Sequence, residues 1–302
     1  MRKEDLLDFV QQPLLEIISI ANSIRKRFCG NKFHLCSIIN ARSGLCSGDC
    51  AYCAQSKVSS ARIDIYPMKE KKEIVSYARK MKELGATRFS IVTSGERLTD
   101  RELNVVIESI PEIKKMGIEV CASLGMLDKD QLSALRAAGL DRYHHNIESS
   151  PRFYPQIVST HKIEDRIRTI ELAKEVGLSV CSGGILGMGE DWQDRVEMAL
   201  LLRNLDVDSV PLNFLLPIPG TPLGNREMID PISALRCIAL FRYALPNKEV
   251  RIIAGREKVF GDMQLIAFLS GANGMMIGGY LTTKGDPIQR DRALLDLLRE
   301  NF

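Results

Sequence analysis

From Gly30 to the C-terminus, short apolar runs take turns with longer, charge-rich amphipathic segments, the signature of consecutive βα units. Strands are expected near 36–41, 88–93, 118–123, 141–147, 178–184, 208–214, 250–254 and 274–278. Helices are expected at about 69–84, 99–115, 128–138, 162–176, 191–204, 231–244 and 258–270, with a last one near 287–300. Eight units in a chain of 302 residues, with no Pro/Ser-rich linker, predict an α/β fold: a single TIM-type (β/α)8 barrel, with a doubly wound open sheet as the alternative. Gly85, Gly117, Gly139 and Gly177 each stand just before an expected strand, where a helix end needs a left-handed residue. Upstream, Leu6, Leu7, Val10, Leu14, Ile17, Ile18 and Ala21 recur at helical spacing, with a break at Pro13. The expected organisation is an N-terminal helical extension over 1–32 and a barrel over 33–302.

In such a barrel, polar residues within strands point inward or sit at the C-terminal mouth. Candidates are Cys36 and Asn40, Arg88 and Ser90, Cys121, then His144, His145, Asn146 and Glu148, followed by Cys181, Asn213 and Arg251. For any single one of them, packing is the competing explanation; their occurrence on seven strands argues for a site. Lys plus Arg at 41 against Asp plus Glu at 38 is too balanced for a nucleic-acid or membrane-surface binder. The N-terminus lacks the pattern of a secretory signal and no stretch nears the roughly 18 apolar residues of a membrane span, so a cytoplasmic protein is expected. Eight cysteines in that compartment read as metal ligands, catalytic groups or buried small residues rather than disulfides.

Their spacing decides among these. Cys46, Cys50 and Cys53 form a C-x3-C-x2-C array in GLCSGDCAYCAQS, on the loop after the first strand. Structural zinc closes with four ligands, commonly as two C-x2-C pairs, and no such pair follows. Three clustered thiolates suit an iron–sulfur cluster, and a four-iron cluster on three thiolates keeps one iron open to a ligand. With Tyr52 before the third cysteine, the array resembles that of the radical S-adenosylmethionine superfamily.

Further motifs narrow the likeness. GLDRYHHNIESSPRFY, VCSGGILGMGE, SVPLNFLLPIPGTPL, VRIIAGRE and SGANGMMIGGYLTTKG resemble, in order, the successive motifs of the biotin synthase family. The resemblance implies a radical-type (β/α)8 barrel that works as a homodimer. It inserts sulfur between C6 and C9 of dethiobiotin, using 5′-deoxyadenosyl radicals from S-adenosylmethionine. A low-potential donor such as flavodoxin or ferredoxin supplies electrons, and an auxiliary iron–sulfur cluster supplies the sulfur. Cys46, Cys50 and Cys53 are then ligands of the 4Fe-4S cluster, with Tyr52 near the adenine. Thr93 and Ser94, in TSGE, fall on the strip whose backbone meets the methionyl amino group, and Arg166 on the arginine that pairs with the methionyl carboxylate. Asn146 and Glu148 match the ribose contacts, Asn146 and Asn213 the contacts to the ureido ring of the substrate, with His144 where a third such asparagine stands. The glycines of SGGILGMG, out of register for a dinucleotide fingerprint, are expected to let backbone approach a ligand.

The main departure concerns the auxiliary cluster. The family binds two irons with three cysteines and an arginine; Cys121, Cys181 and Arg251 match, but the third cysteine position is Ser90. Either the cluster and sulfur insertion are lost, or Cys29 and Cys36 join Cys121 and Cys181 as four thiolates, enough for a four-iron cluster without an arginine. The second reading is preferred, with Arg251 as the alternative ligand. Two competitors remain: a relative in the biotin and thiamine synthase group with another substrate, and a non-catalytic iron–sulfur scaffold or sensor.

Overall fold

The computed structural model describes residues 1–44, 46–283 and 285–301. Its strands are β1 (His34–Arg42), β2 (Arg88–Thr93), β3 (Glu119–Ser123), β4 (Arg142–His144), β5 (Ser179–Cys181), β6 (Gly184–Leu186), β7 (Ser209–Phe214), β8 (Glu249–Ile252) and β9 (Gly274–Met276). They run parallel in the order β5-β4-β3-β2-β1-β9-β8-β7-β6, and the bridge between Cys181 and Ser209 closes the ring by joining β5 to β7. β5 and β6 share one of eight positions, so the barrel expected from the alternating pattern is present and the open sheet is excluded. Helices return each strand to the bottom of the barrel, several starting on caps the sequence spells out: Thr99, Asp128, Asp191 and Asp230 each accept a backbone N–H three residues on.

The fifth strand, expected as one run over 178–184, is broken, because neighbouring backbone crowds its centre. A Cβ on Gly183 would lie 2.0 Å from the Pro211 carbonyl oxygen, and one on Gly184 would lie 2.3 Å from that of Glu148. These glycines admit adjacent strands, not a ligand. Gly187 and Gly189, with Met188, donate backbone N–H groups to the Glu190 carboxylate at 2.8–3.0 Å. Gly183→Ala should therefore force β6 away from β7 and cost about 3 kcal/mol, measured by denaturant unfolding. A loss below about 0.5 kcal/mol would show that the barrel relaxes freely there.

The helix expected at 258–270 is likewise two, Arg256–Phe260 and Gln264–Leu269, parted at Gly261, whose φ is 51°. Upstream, Pro13 separates helices Lys3–Gln11 and Leu14–Cys29. The Val10 and Gln12 carbonyls freed by the break accept from Arg236 Nη1 at 2.6 and 2.7 Å, and Phe9 stacks on Tyr243 at 4.2 Å. Both helices thus pack on the barrel helix Pro231–Ala244.

The strand starts build a charged floor. Glu249 accepts from Arg88 Nη1 at 2.9 Å and from Arg142 Nη1 at 2.7 Å, while Arg88 also pairs with Glu119. Burial pushes the Glu249 carboxyl up, but the hydrogen bond from Arg142 and the charges of Arg251, Arg142 and Arg88 outweigh it and hold it well below the usual carboxylate range. Among the described residues no helix is long and apolar enough to cross a membrane.

Candidate active site

A cavity of about 410 Å³ runs from the loop after β1 at the mouth down to Arg88 and Arg251 near the floor. Cys46, Cys50 and Cys53 line it, because β1 ends at Arg42 and delivers the following loop over the C-terminal face. Gly48 keeps this loop open: a Cβ there would lie 3.5 Å from Cys46 Sγ and 3.8 Å from Cys50 Sγ, filling the space between the two thiols. Burial pushes the Cys50 thiol up to about 11 and the Cys53 thiol up to about 12, so a bound cation is needed to hold them as thiolates near neutrality. Among the described residues no three His, Cys, Asp or Glu side chains converge as one metal ion requires. The cradle over Gly48 fits a multi-iron group, whose ligands sit further apart.

Across the mouth stand Arg166, Asn146 and Glu148. Arg166 Nη1 donates to the Asn146 carbonyl at 3.0 Å and lies 3.8 Å from Glu148 Oε1, and its Nε donates to the Tyr154 hydroxyl at 2.6 Å. Glu148 has a φ of 66°, a left-handed backbone that a glutamate adopts only at a cost of roughly 1–3 kcal/mol, as often found at ligand sites. Asn146 Oδ1 accepts from the Gly183 N–H at 3.0 Å, and its Nδ2 donates to Glu148 Oε2 at 3.3 Å. Asn213 donates to the Gly184 carbonyl at 3.2 Å and accepts from the Ala254 N–H at 3.3 Å. Each amide keeps one N–H and one lone pair for a ligand. Ser94 is fastened on every side: its N–H to the Arg42 carbonyl at 2.9 Å, its hydroxyl to the Gly44 carbonyl at 2.7 Å, its carbonyl to Arg42 Nε at 3.0 Å. Thr93 next to it presents in the cavity wall a buried Oγ1 with no hydrogen bond among the described residues.

Lower down, Arg251 on β8 spans two thiols, with Nη1 on Cys36 and Nη2 2.6 Å from Cys181 Sγ. Its own Nε, buried, makes no hydrogen bond among the described residues and lies 3.9 Å from Glu249 Oε2. Burial pushes the Cys181 thiol up, but the Arg251 guanidinium and then His144 outweigh it and bring it to about 6. Cys121 joins them from β3, where burial lifts its thiol to about 12 despite Arg88 and Arg142. Ser90 lies in the same wall, in register with Cys121.

One expectation is corrected here. Cys29 ends the helix Leu14–Cys29 at the bottom of the barrel, its sulfur 3.9 Å from the Lys248 carbonyl, and does not line the cavity, so the four-thiolate set is not assembled. His144 lines the cavity with Nδ1 3.1 Å from Cys181 Sγ, which ties it to the lower thiols.

Other cavity residues were given no role by the sequence. Tyr280 to Thr283, within the SGANGMMIGGYLTTKG motif, fold over the mouth, held by the Tyr280 hydroxyl 2.5 Å from Glu257 Oε1. His161 sits with Nδ1 2.8 Å from the Tyr154 hydroxyl and Nε2 4.0 Å from Cys50 Sγ. Burial and then the Arg166 charge lower its pKa. A solitary histidine just before a helix gives no pattern to read.

Comparison with known proteins agrees with this geometry. The Radical SAM superfamily profile matches residues 42–202, and that of the Biotin and Thiamin Synthesis associated domain matches residues 211–298. Biotin synthase of Thermodesulfovibrio yellowstonii is 49% identical over 282 residues, covering 93% of this chain and 89% of the relative. That of Thermotoga petrophila is 47% identical and covers 98% of each chain. This chain belongs to the biotin synthase family. Among solved structures, methylornithine synthase (PylB) superposes with a TM-score of 0.84 at 20% identity, covering 98% of this chain and 92% of that one, which speaks for the fold alone. Ser90 on β2 and Cys36 on β1 both line the cavity, and the structure brings Cys36 to the same arginine as Cys181.

Proposed function

We propose that this chain makes biotin by radical insertion of sulfur between C6 and C9 of dethiobiotin. The observation that carries the reading is one cavity with two separate groups of cysteines: Cys46, Cys50 and Cys53 at its mouth, and Cys36, Cys121 and Cys181 with Arg251 below. Cys46, Cys50 and Cys53 would hold a 4Fe-4S cluster. When bound, that cluster supplies the electron that splits S-adenosylmethionine into methionine and a 5′-deoxyadenosyl radical, the hard step that protein side chains cannot perform.

The chain's own residues do the rest. Arg166 offers a cation to the methionyl carboxylate, Thr93 Oγ1 a hydrogen-bonding group nearby, and Glu148 with Asn146 acceptors and donors for ribose hydroxyls. Tyr52 lies against the adenine. The remaining amide capacity of Asn146 and Asn213 serves the ureido ring, which both gives and accepts hydrogen bonds. Tyr280 to Thr283 limit water at the mouth, protecting a carbon radical from quenching.

The lower group supports an auxiliary cluster that yields the sulfur. With Cys29 outside the set, three thiolates remain, the same number as in the first loop, and Arg251 and His144 stand beside them. Three thiolates with an arginine ligand are the set with which the family binds two irons; because Arg251 here directs Nη1 and Nη2 at Cys36 and Cys181, the four-iron reading takes the three thiolates alone as ligands and leaves one iron without a protein sulfur. The domain division at residue 32, a homodimer, and a flavodoxin or ferredoxin donor belong to the same proposal.

Anaerobic reconstitution followed by dithionite, S-adenosylmethionine and dethiobiotin tests it, reading biotin and 5′-deoxyadenosine together. About eight irons per chain are expected. About six would replace the lower cluster by a two-iron one, and about four would remove it. Deoxyadenosine without biotin from a fully loaded protein would mean a different substrate; neither product would favour an iron–sulfur scaffold.

A further inference from the structure

His161 closes a chain of contacts whose polarity is read from where each proton can go. Arg166 Nε can only donate, so at 2.6 Å the Tyr154 oxygen accepts from it. Among the described residues, His161 Nδ1 at 2.8 Å is the acceptor recorded for the Tyr154 hydroxyl proton. A neutral imidazole that accepts at Nδ1 carries its proton on Nε2. Nε2 faces Cys50 Sγ at 4.0 Å, within reach of an N–H···S hydrogen bond. Tyr154 is 1% exposed and its ring also lies 6.0 Å from the Arg166 guanidinium, so the relay is held from two sides.

We propose that His161 donates its Nε2–H to the sulfur of Cys50 and thereby sets how readily a cluster held by the first loop accepts an electron, with Tyr154 fixing the direction of that bond. The inference rests on the reading of Cys46, Cys50 and Cys53 as cluster ligands. A donor aimed at a ligating sulfur stabilises the reduced, more negative state, and hydrogen bonds to the sulfurs are a principal control of cluster potential. His161 is thus a positioning residue: it acts through Cys50 and need not touch the substrate. It also joins the thiolate loop to Arg166, so the two halves of the mouth share one hydrogen-bonded frame.

The test is an anaerobic redox titration of reconstituted full-length protein, followed by electron paramagnetic resonance of the reduced cluster without substrate. His161→Ala should lower the reduced-to-oxidised ratio at a given potential about tenfold, a shift of about 59 mV to more negative values. Tyr154→Phe, which leaves the histidine in place but frees its tautomer, should shift the midpoint the same way by less. His161→Gln, whose amide presents an N–H at similar reach, should recover part of the loss. Midpoints of His161→Ala and Tyr154→Phe equal to wild type would overturn the proposal while leaving the cluster assignment intact. Should His161→Ala fail to retain iron, the Tyr154→Phe midpoint decides alone. A wild-type chain that takes up no iron in the first loop would sink the assignment itself, an outcome read from metal content before any potential is measured.

Discussion

Replacing Cys50 by alanine is expected to reduce 5′-deoxyadenosine formation at least about 100-fold, since even outer-shell partners of a metal site cost 10–100-fold when removed. Biotin falls with it. Cys121→Ala should behave differently, keeping most of the deoxyadenosine and forming no biotin. The two cysteines lie in one cavity but in different surroundings, Cys50 at the mouth beside His161 and Cys121 in the lower wall near Arg88 and Arg142. Quantifying both products by chromatography after a single anaerobic incubation separates the roles. Equal loss of both products in the Cys121 variant would refute a division of labour between upper and lower sulfur groups.

The second large effect is on stability. Glu249→Ala should cost about 3–5 kcal/mol, because it leaves Arg88 and Arg142 buried on the barrel floor without their shared carboxylate, and breaking a buried ion pair on one side costs that much. Unfolding by urea with and without the substitution measures it. The pH dependence follows from the depressed pKa of Glu249. A carboxylate held below its unfolded value contributes fully above about pH 4.3 and loses that contribution as the pH falls towards the folded value. The gap between wild type and variant should therefore be constant near neutrality and narrow in acid. A gap under about 1 kcal/mol at neutral pH would mean that Glu119 or water takes over the role.

The barrel itself was legible because eight hydrophobic runs and their punctuating glycines are local signals, each readable within a dozen residues. The mouth was legible for a related reason: Cys46, Cys50 and Cys53 come at fixed spacing in one loop, while Asn146, Glu148 and Arg166 were picked out by the family resemblance, and the structure lines one cavity with all six. What escaped depends on depth. Cys29 and Cys36 are seven positions apart in the chain, yet one ends a helix beneath the barrel and the other points into it, and cysteine content does not distinguish the two. The break in the fifth strand depends on the Pro211 and Glu148 carbonyls of neighbouring strands, which no local pattern records. His144 aligned with a substrate contact by sequence position, and that the register of β4 with β5 sets it opposite Cys181 is not a local signal. The floor around Glu249 draws its arginines from β2, β4 and β8, far apart in sequence, so that although Arg88 and Arg251 stand out as polar residues in strands, their meeting at one carboxylate has no local sign.

The guanidinium of Arg251 has one more effect. A disulfide requires two sulfurs at about 2.05 Å, and Cys36 and Cys181 grip opposite nitrogens of a rigid planar group that fills the gap between them. The arginine works as a spacer, keeping this pair from oxidising into a cross-link. Whenever the lower site holds no metal, the wedge keeps its two thiols apart instead of letting them couple.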